Sequence, residues 1–194
     1  MQQPKQIKEA KGRLGVLLPG MGAVGTTFIA GCLLARRGLA APVGSITQMG
    51  TIRLGKRTDA QSPPIKDFVS LASLDDLVFG GWDLFPDNAY QAAKTAEVLT
   101  NEHLDLVRDE LEKIRPMKAV FFPEFVKRLR GEHVKEGNDK WALAEAVRED
   151  IRRFKREHEL DRAVAVWCGS TDVHSEPSDV HSSLAKFEAG LKRS

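Results

Sequence analysis

Three glycines at a fixed spacing separate a short apolar run from an amphipathic run near the start of the chain. Residues 14–18, LGVLL, are typical of a strand that is buried on both faces of a parallel sheet. Residues 26–37 predict a helix, because Phe28, Cys32 and Ala35 fall on one face. A strand, a glycine-rich turn and a helix in this order predict an α/β fold, with the turn at its ligand-binding edge.

The glycine-rich turn, GMGAVG, matches the GxGxxG pattern of dinucleotide-binding turns. Gly20 permits the tight turn, Gly22 lets the backbone approach a pyrophosphate, and Gly25 lets the helix pack closely on the strand. The N-terminus of the helix adds unpaired N–H groups and a partial positive charge. The pattern favours dinucleotide binding, and a purely structural glycine turn is the alternative.

An acidic residue that should complete this pattern is missing from its usual place. An Asp or Glu normally ends the second strand about 20 residues after the turn and binds the adenosine ribose. The expected second strand, residues 42–47, is followed by no acid until Asp59. Either the ribose is bound from elsewhere, or the site differs from that of an ordinary NAD dehydrogenase.

Asp83 is a candidate for the missing carboxylate. Residues 77–83, LVFGGWD, predict a short strand that runs out at two glycines, so Asp83 lies at the carboxyl edge where ligands bind. From spacing alone, a turn or capping role is an equal alternative. A later loop, residues 168–172 (CGSTD), follows a predicted buried strand at 162–167. It can approach a nicotinamide or ribose, although small polar residues also simply make turns.

The rest of the chain alternates strands and helices, which predicts a Rossmann-type parallel sheet with flanking helices. Further helices are predicted at residues 89–99, where Asp87 or Asn88 can act as the N-cap, at 101–115 and at 139–158. We expect a flexible N-terminus at residues 1–12, one nucleotide-binding domain at 13–175, and a C-terminal tail with a short helix at 176–194.

Composition excludes several classes of protein. The 194 residues are 42% hydrophobic with a formal net charge of +2, and charges of both signs are mixed along the chain and form no single basic block, so we expect no nucleic-acid partner. No signal peptide or membrane span is indicated. The two cysteines, far apart in apolar segments, suit free thiols in a reducing cytoplasm, and they have no partners at metal-ligand spacing.

Three segments together resemble the inositol-3-phosphate synthase family, also called myo-inositol-1-phosphate synthase. They are LLPGMGAVGTTFIAG, then FGGWD, then AVAVWCGSTD, and both their order and their spacing agree over residues 13–172. FGGWD is much more specific than GxGxxG. The resemblance implies NAD bound in a Rossmann-type domain, which is incomplete here relative to the full-length family.

The resemblance also implies residue roles. The glycine loop would bind the pyrophosphate through Gly20, Gly22, Ala23, Val24 and Gly25, and the adenosine ribose would be bound by Asp83. The later loop would border NAD through Gly169, Ser170 and Thr171, with Ser170 standing where the family has an Asn.

The implied reaction is isomerisation of D-glucose 6-phosphate to 1D-myo-inositol 3-phosphate, in inositol and phospholipid biosynthesis, by a homotetramer. NAD takes a hydride from C5, an enolate then attacks C1, and the hydride is returned. The family's catalytic lysines lie in its second half, beyond Ser194, so the catalytic residues are unknown, and neither Lys118 nor Lys127 is assigned a role. The alternative is a non-catalytic NAD-binding module or subunit.

A third interpretation is an unrelated small dehydrogenase. Such an enzyme needs an acid or base beside the nicotinamide, often a tyrosine followed at the fourth position by a lysine. Tyr90 and Lys94 satisfy that bare spacing, but they lie on the wrong segment for the role.

Overall fold

A four-stranded sheet with the order β3-β2-β1-β4 organises the chain in a computed structural model, which describes residues 10–126, 128–169 and 173–193. All the strand pairs are parallel. The strands are β1 (Leu14–Pro19), β2 (Leu77–Asp83), β3 (Met117–Lys118) and β4 (Arg162–Ala165). The helices are α1 (Ala23–Arg36), α2 (Ile46–Met49), α3 (Ala89–Ala96), α4 (Asn101–Asp105), α5 (Arg108–Leu111), α6 (Lys140–Glu157) and α7 (Leu184–Leu191). This is the predicted Rossmann-type arrangement, since 3-2-1-4 is the order in which such sheets begin.

The central strand β1 separates two hydrophobic cores. Val16 and Leu18 point to one face, where they pack with α1, α3, α4 and α5. Leu17 points to the other face and packs with Trp82 and with Phe154 of α6. Alternate residues of a strand face opposite sides of the sheet, so a continuous apolar run is what a strand covered on both faces requires. The predicted strand at 14–18 is confirmed.

The strand expected at residues 42–47 does not form. The segment consists of turns followed by the short helix α2, and the side chains of Val43 and Ile46 are 80% and 75% exposed. The place beside β1 is instead taken by β2, with Leu14 opposite Leu77 and Pro19 opposite Trp82. The apolar residues of this segment therefore have neither a sheet edge nor a core in which to be buried.

Residues 101–115 form two short helices, α4 and α5, and not the single helix predicted. The helical spacing was nevertheless real, because Leu104, Val107 and Leu111 are all fully buried. Val107, with φ −127°, lies between the two helices and still reaches the core. Helical spacing of apolar residues indicates which face is buried. It does not reveal a break between two helices when the buried residues on either side of the break still face the same core.

The strand expected at 162–167 is shorter and is not buried. β4 pairs with β1 on one side, and within the described ranges it lies at the outer edge of the sheet. Residues 163–165 are exposed, with Val164 43% exposed. A run of small and β-branched residues predicts a strand, but its burial depends on covering elements that lie elsewhere in the sequence.

The N-cap of α3 is Asn88, one of the two predicted candidates. Its side chain accepts a hydrogen bond from the Gln91 N–H at 2.9 Å, and the Gln91 side chain accepts one from the Asn88 N–H at 3.1 Å. We expect Asn88→Ala to lower the free energy of unfolding by about 1 kcal/mol, because this reciprocal cap is lost. Urea unfolding measures this, and Asp87→Ala, at an exposed neighbour, is expected to have little effect.

Candidate functional site

The ends of β1, β2 and β4 meet at the glycine-rich turn. Gly20 follows β1 with φ +90°, a conformation that favours glycine, and its N–H donates to the carbonyl of Trp82 at 2.8 Å. A Cβ at this position would lie 2.7 Å from the carbonyl oxygen of Cys168 and 2.8 Å from the Cα of Gly169. Only glycine therefore fits here, because the chain after β4 presses against the turn.

Gly22 has the opposite surroundings. It is the N-cap of α1 and is exposed, and apart from its two chain neighbours no described residue has an atom within 4 Å of the Cβ that an alanine would place there. Ala23 and Val24 in the first helical turn are also exposed, and this turn contains no acidic side chain. The first N–H groups of a helix have no carbonyl partner within it, so this surface is suited to an anion.

Gly25 joins the turn to the helix. A Cβ on Gly25 would lie 2.9 Å from the carbonyl oxygen of Gly20, so a larger residue would push α1 away from the turn. Thr26 is fully buried beside it and donates its hydroxyl to the carbonyl of Gly22 at 2.9 Å. The three glycines thus have distinct surroundings: Gly20 and Gly25 are packed against backbone, and Gly22 faces open space.

Asp83 ends β2 directly beside this turn. One carboxylate oxygen, Oδ2, accepts the N–H of Met21 at 2.6 Å, and the other, Oδ1, accepts the N–H of Phe85 at 3.1 Å. Asp83 therefore has the turn role that the sequence left open, and it also contacts the glycine-rich turn. β2, which Asp83 ends, is the strand next to β1, and a long segment separates it from α1.

The loop after β4 is only partly described. Gly169 lies against Gly20, whereas Ser170 and Thr171, the other predicted residues of this loop, lie outside the described residues, as does Lys127. Cys168 donates its N–H to the carbonyl of Pro19 at 2.9 Å. Cys32 and Cys168 are both free and half-buried, and burial raises the pKa of the Cys32 thiol.

A buried carboxylate on α6 supports the end of β2. Asp150 is 3% exposed, and its Oδ2 accepts hydrogen bonds from the Trp82 indole at 2.9 Å and from Lys135 at 2.6 Å. Burial alone would raise the pKa of Asp150, but these hydrogen bonds and the nearby positive charges outweigh it and hold the pKa below its usual value.

Sequence analysis does not identify this carboxylate, because the charges of an amphipathic helix such as α6 usually form its solvated face. A signal was present: Asp150 lies at helical spacing between Val147 and Phe154, which pack in the core on the α6 side of the sheet. An acid at a core position of an amphipathic helix indicates a buried partner.

A cavity of about 550 Å³ opens beside the turn on the α6 side of the sheet. Gly20 and Asp83 line one end of it, and aromatic side chains, including Phe122 and Trp167, line much of the remainder. The site therefore combines a polar turn suited to an anion with an adjoining apolar space large enough for a ring.

Tyr90 and Lys94, which have the tyrosine–lysine spacing of some small dehydrogenases, do not contribute to this site. Tyr90 is buried in the α1 core, and its hydroxyl donates to Asp105 at 2.6 Å. That hydrogen bond raises the pKa of Tyr90, the opposite of what a catalytic tyrosine base needs. The ammonium of Lys94 lies over the Tyr90 ring.

Comparisons with known proteins agree with one another. An NAD-binding family model described as myo-inositol-1-phosphate synthase matches residues 14–194. Inositol-3-phosphate synthase 1 of Bacteroides thetaiotaomicron is 49% identical over 97% of this chain and 43% of its own length. Inositol-3-phosphate synthase 1 of Oryza sativa subsp. japonica is 33% identical over 84% of this chain and 35% of its own length.

A solved structure shows the same relationship. The crystal structure of inositol-3-phosphate synthase from Caenorhabditis elegans matches with a TM-score of 0.85 and 28% identity, over 94% of this chain and 40% of that one. This chain thus spans less than half the length of the relatives it matches. Among the described residues, no helix has the length and apolar character needed to cross a membrane.

Proposed function

Because the chain belongs to the myo-inositol-1-phosphate synthase family, we propose that it binds NAD at the turn between β1 and α1 and serves the isomerisation of D-glucose 6-phosphate to 1D-myo-inositol 3-phosphate. The observation that carries this proposal is the open space over Gly22, whose preceding residue, Met21, donates its N–H to the Asp83 carboxylate. Relatives that are 49% and 33% identical bear the name inositol-3-phosphate synthase.

Each glycine of the turn has a role in this proposal. Gly20 and Gly25 hold the turn closed, and Gly22 leaves room for the pyrophosphate to approach the backbone. The N–H groups of Ala23 and Val24 donate to the phosphate oxygens, and the α1 dipole adds to the attraction. This division of roles is supported by the close backbone contacts of Gly20 and Gly25 and by the open space over Gly22.

Asp83 binds the adenosine ribose in this proposal. Each of its oxygens already accepts one backbone N–H, from Met21 or Phe85. A carboxylate oxygen can accept more than one hydrogen bond, so each retains capacity for a ribose hydroxyl while the backbone donors fix its orientation. Gly169 borders the cofactor from the β4 side, and the same role is expected of Ser170 and Thr171 only by resemblance, since they lie outside the described residues.

NAD, when bound, supplies reversible hydride transfer at C5 of the sugar. The residues of this chain bind and orient the cofactor, and none of them is assigned a proton-transfer step. The apolar cavity beside the turn keeps bulk water from one side of the nicotinamide. This chain spans 43% of the length of the Bacteroides thetaiotaomicron relative, and in this proposal the other functional groups of the reaction lie outside that span.

A second candidate is an NAD-binding module without catalysis. It would account equally for the open turn at Gly22 and the Asp83 carboxylate, because these features bind a cofactor and have no proton-transfer role. The two candidates differ in whether the chain, alone or with a complementing chain, forms inositol phosphate from glucose 6-phosphate. If the chain serves the isomerisation, we expect it to act within a homotetramer in the cytoplasm. The cytoplasmic location is supported by the two free thiols, Cys32 and Cys168.

Calorimetric titration of NAD⁺ into the chain tests the proposal, with Asp83→Asn as the diagnostic variant. Asparagine keeps the size and one acceptor oxygen but removes the charge, so we expect the Kd to rise about tenfold, as for loss of a charge-assisted hydrogen bond. Asp87→Asn makes the same chemical change at an exposed acid four positions later and should leave the Kd unchanged.

Circular dichroism should show that all three proteins are folded. A folded chain that binds no NAD⁺ would mean that the glycine turn is only structural. Binding that is equal in the unmodified chain and in Asp83→Asn would remove Asp83 from the site.

A further inference from the structure

Asp150 is a buried acid beside an apolar core, and positively charged side chains contact both of its carboxylate oxygens. Its Oδ2 accepts from Trp82 and Lys135, and its Oδ1 accepts from Arg153 at 2.8 Å. The Lys135 side chain is itself largely buried, at 15% exposed. Buried ion pairs contribute little net stability compared with apolar packing, so a role in fixing geometry accounts better for this arrangement.

Trp82 connects this carboxylate to the glycine-rich turn. Trp82 is 6% exposed, and its indole N–H is the donor to Asp150. Its backbone carbonyl accepts the N–H of Gly20 at 2.8 Å, and the next residue is Asp83. Holding the indole in place therefore holds the backbone of Trp82 in place. That backbone binds Gly20 through its carbonyl and leads directly to Asp83.

The backbone around Lys135 also contacts the end of β2, where Asp83 lies. The segment 133–135 crosses the ends of β2 and β3: the His133 N–H donates to Leu84 at 3.0 Å, and the Lys135 N–H donates to Ala119 at 2.8 Å. The His133 ring, through Nδ1, lies 3.1 Å from the carbonyl oxygen of Asp83, which makes this nitrogen the donor. The chain that supplies the cation to Asp150 also holds the backbone of Asp83.

We propose that Asp150 is a positioning residue for the dinucleotide site, acting through Trp82 and Lys135 to hold Gly20 and Asp83 at the spacing that the cofactor requires. This inference rests on the proposed function. Asp150 does not line the cavity beside the turn, so its effect on NAD⁺ passes through these neighbours and not through contact. Small displacements of binding groups weaken a preorganised site strongly.

Amide hydrogen exchange together with NAD⁺ titration tests this role, with Asp150→Asn as the variant. The amides to follow are those of Gly20 and Met21, which donate to Trp82 and Asp83. We expect their exchange to be about tenfold faster in the variant, relative to the amide of Leu111 in the other core, and the Kd for NAD⁺ to rise about fivefold. A merely structural role would speed all these amides alike.

Two further variants complete the design. Trp82→Phe keeps a buried ring and loses the indole donor, so it should reproduce both effects even if Asp150→Asn folds poorly. If both residues act along one path, the double variant should be little worse than the stronger single variant. Glu149→Gln changes the adjacent, exposed carboxylate of α6, which pairs with Arg156, and should change neither measurement.

Unchanged exchange at Gly20 and Met21 in both variants, with unchanged NAD⁺ affinity, would overturn the inference. Equal acceleration of the Leu111 amide would overturn it as well, because the effect would then be global. If the unmodified chain does not bind NAD⁺, the proposed function fails instead, and the exchange at Gly20 and Met21 alone decides whether Asp150 positions the turn.

Discussion

Gly81→Ala is expected to lower the free energy of unfolding by about 3 kcal/mol or more, the upper range for overpacking a closely packed interior. Gly81 lies in β2 opposite Leu18 of β1, and an added Cβ would overlap the Leu18 carbonyl oxygen. That oxygen belongs to the backbone of the central strand and cannot rotate away as a side chain could. The two strands would have to separate next to the Asp83 carboxylate.

Gly31→Ala is the matched control for this prediction. Gly31 is exposed within α1, and apart from its chain neighbours and the nearby backbone of the helix itself, no described atom lies within 4 Å of the Cβ it would gain. The same chemical change should therefore stabilise the chain by roughly 0.5–1 kcal/mol, since alanine is the better helix former. Urea unfolding of both variants measures the difference, and equal stabilities would show that β1 and β2 are not packed as described.

Gly22→Ala is expected to weaken NAD⁺ binding by about tenfold to a hundredfold while leaving the fold intact. A methyl group placed where the pyrophosphate meets the backbone costs about 1–3 kcal/mol of binding, as overpacking does in a core. The stability should change by less than about 1 kcal/mol, because the position is open and N-cap effects are of that size. Gly22→Ala should thus lower the affinity for NAD⁺ without a matching loss of stability.

Calorimetric titration and urea unfolding of the same preparations test that separation. Gly31→Ala again provides the control, since it makes the same substitution later in α1 and should leave NAD⁺ binding unchanged. Undiminished affinity in Gly22→Ala would place the pyrophosphate elsewhere. A loss of affinity accompanied by unfolding would assign Gly22 a structural role like that of Gly20.

The local part of the fold could be predicted because its signals are short-range. β1, the glycine-rich turn and α1 are contiguous, and the cap of α3 is set by Asn88 and Gln91, three positions apart. Such elements depend on neighbours in the chain, so propensity and spacing describe them well. The same reasoning placed Asp83 at the carboxyl edge of the sheet.

Partners distant in sequence account for the errors. Residues 42–47 are as apolar as a strand, but whether they join a sheet depends on β2, which takes the place beside β1. β4 has the composition of a buried strand, but its burial depends on what covers it. Asp150 belongs to the site's support because Trp82 and Lys135 come to it from other elements. A local window marks Asp150 as an acid at a core position of its helix, but it does not identify the partners of Asp150, of β4 or of residues 42–47.

The long separation of β1 from its partner strands has a consequence for folding order. Arg13 already meets Asp161, 148 positions later, and the turn after β1 meets Asp83, 62 positions later. At synthesis rates of about 5–20 residues per second, the apolar strand emerges several seconds before β2 and longer still before β4. High contact order of this kind slows folding. β1, with four buried residues, therefore stays unpaired until β2 has been synthesised, and during that interval its apolar side chains are exposed to aggregation.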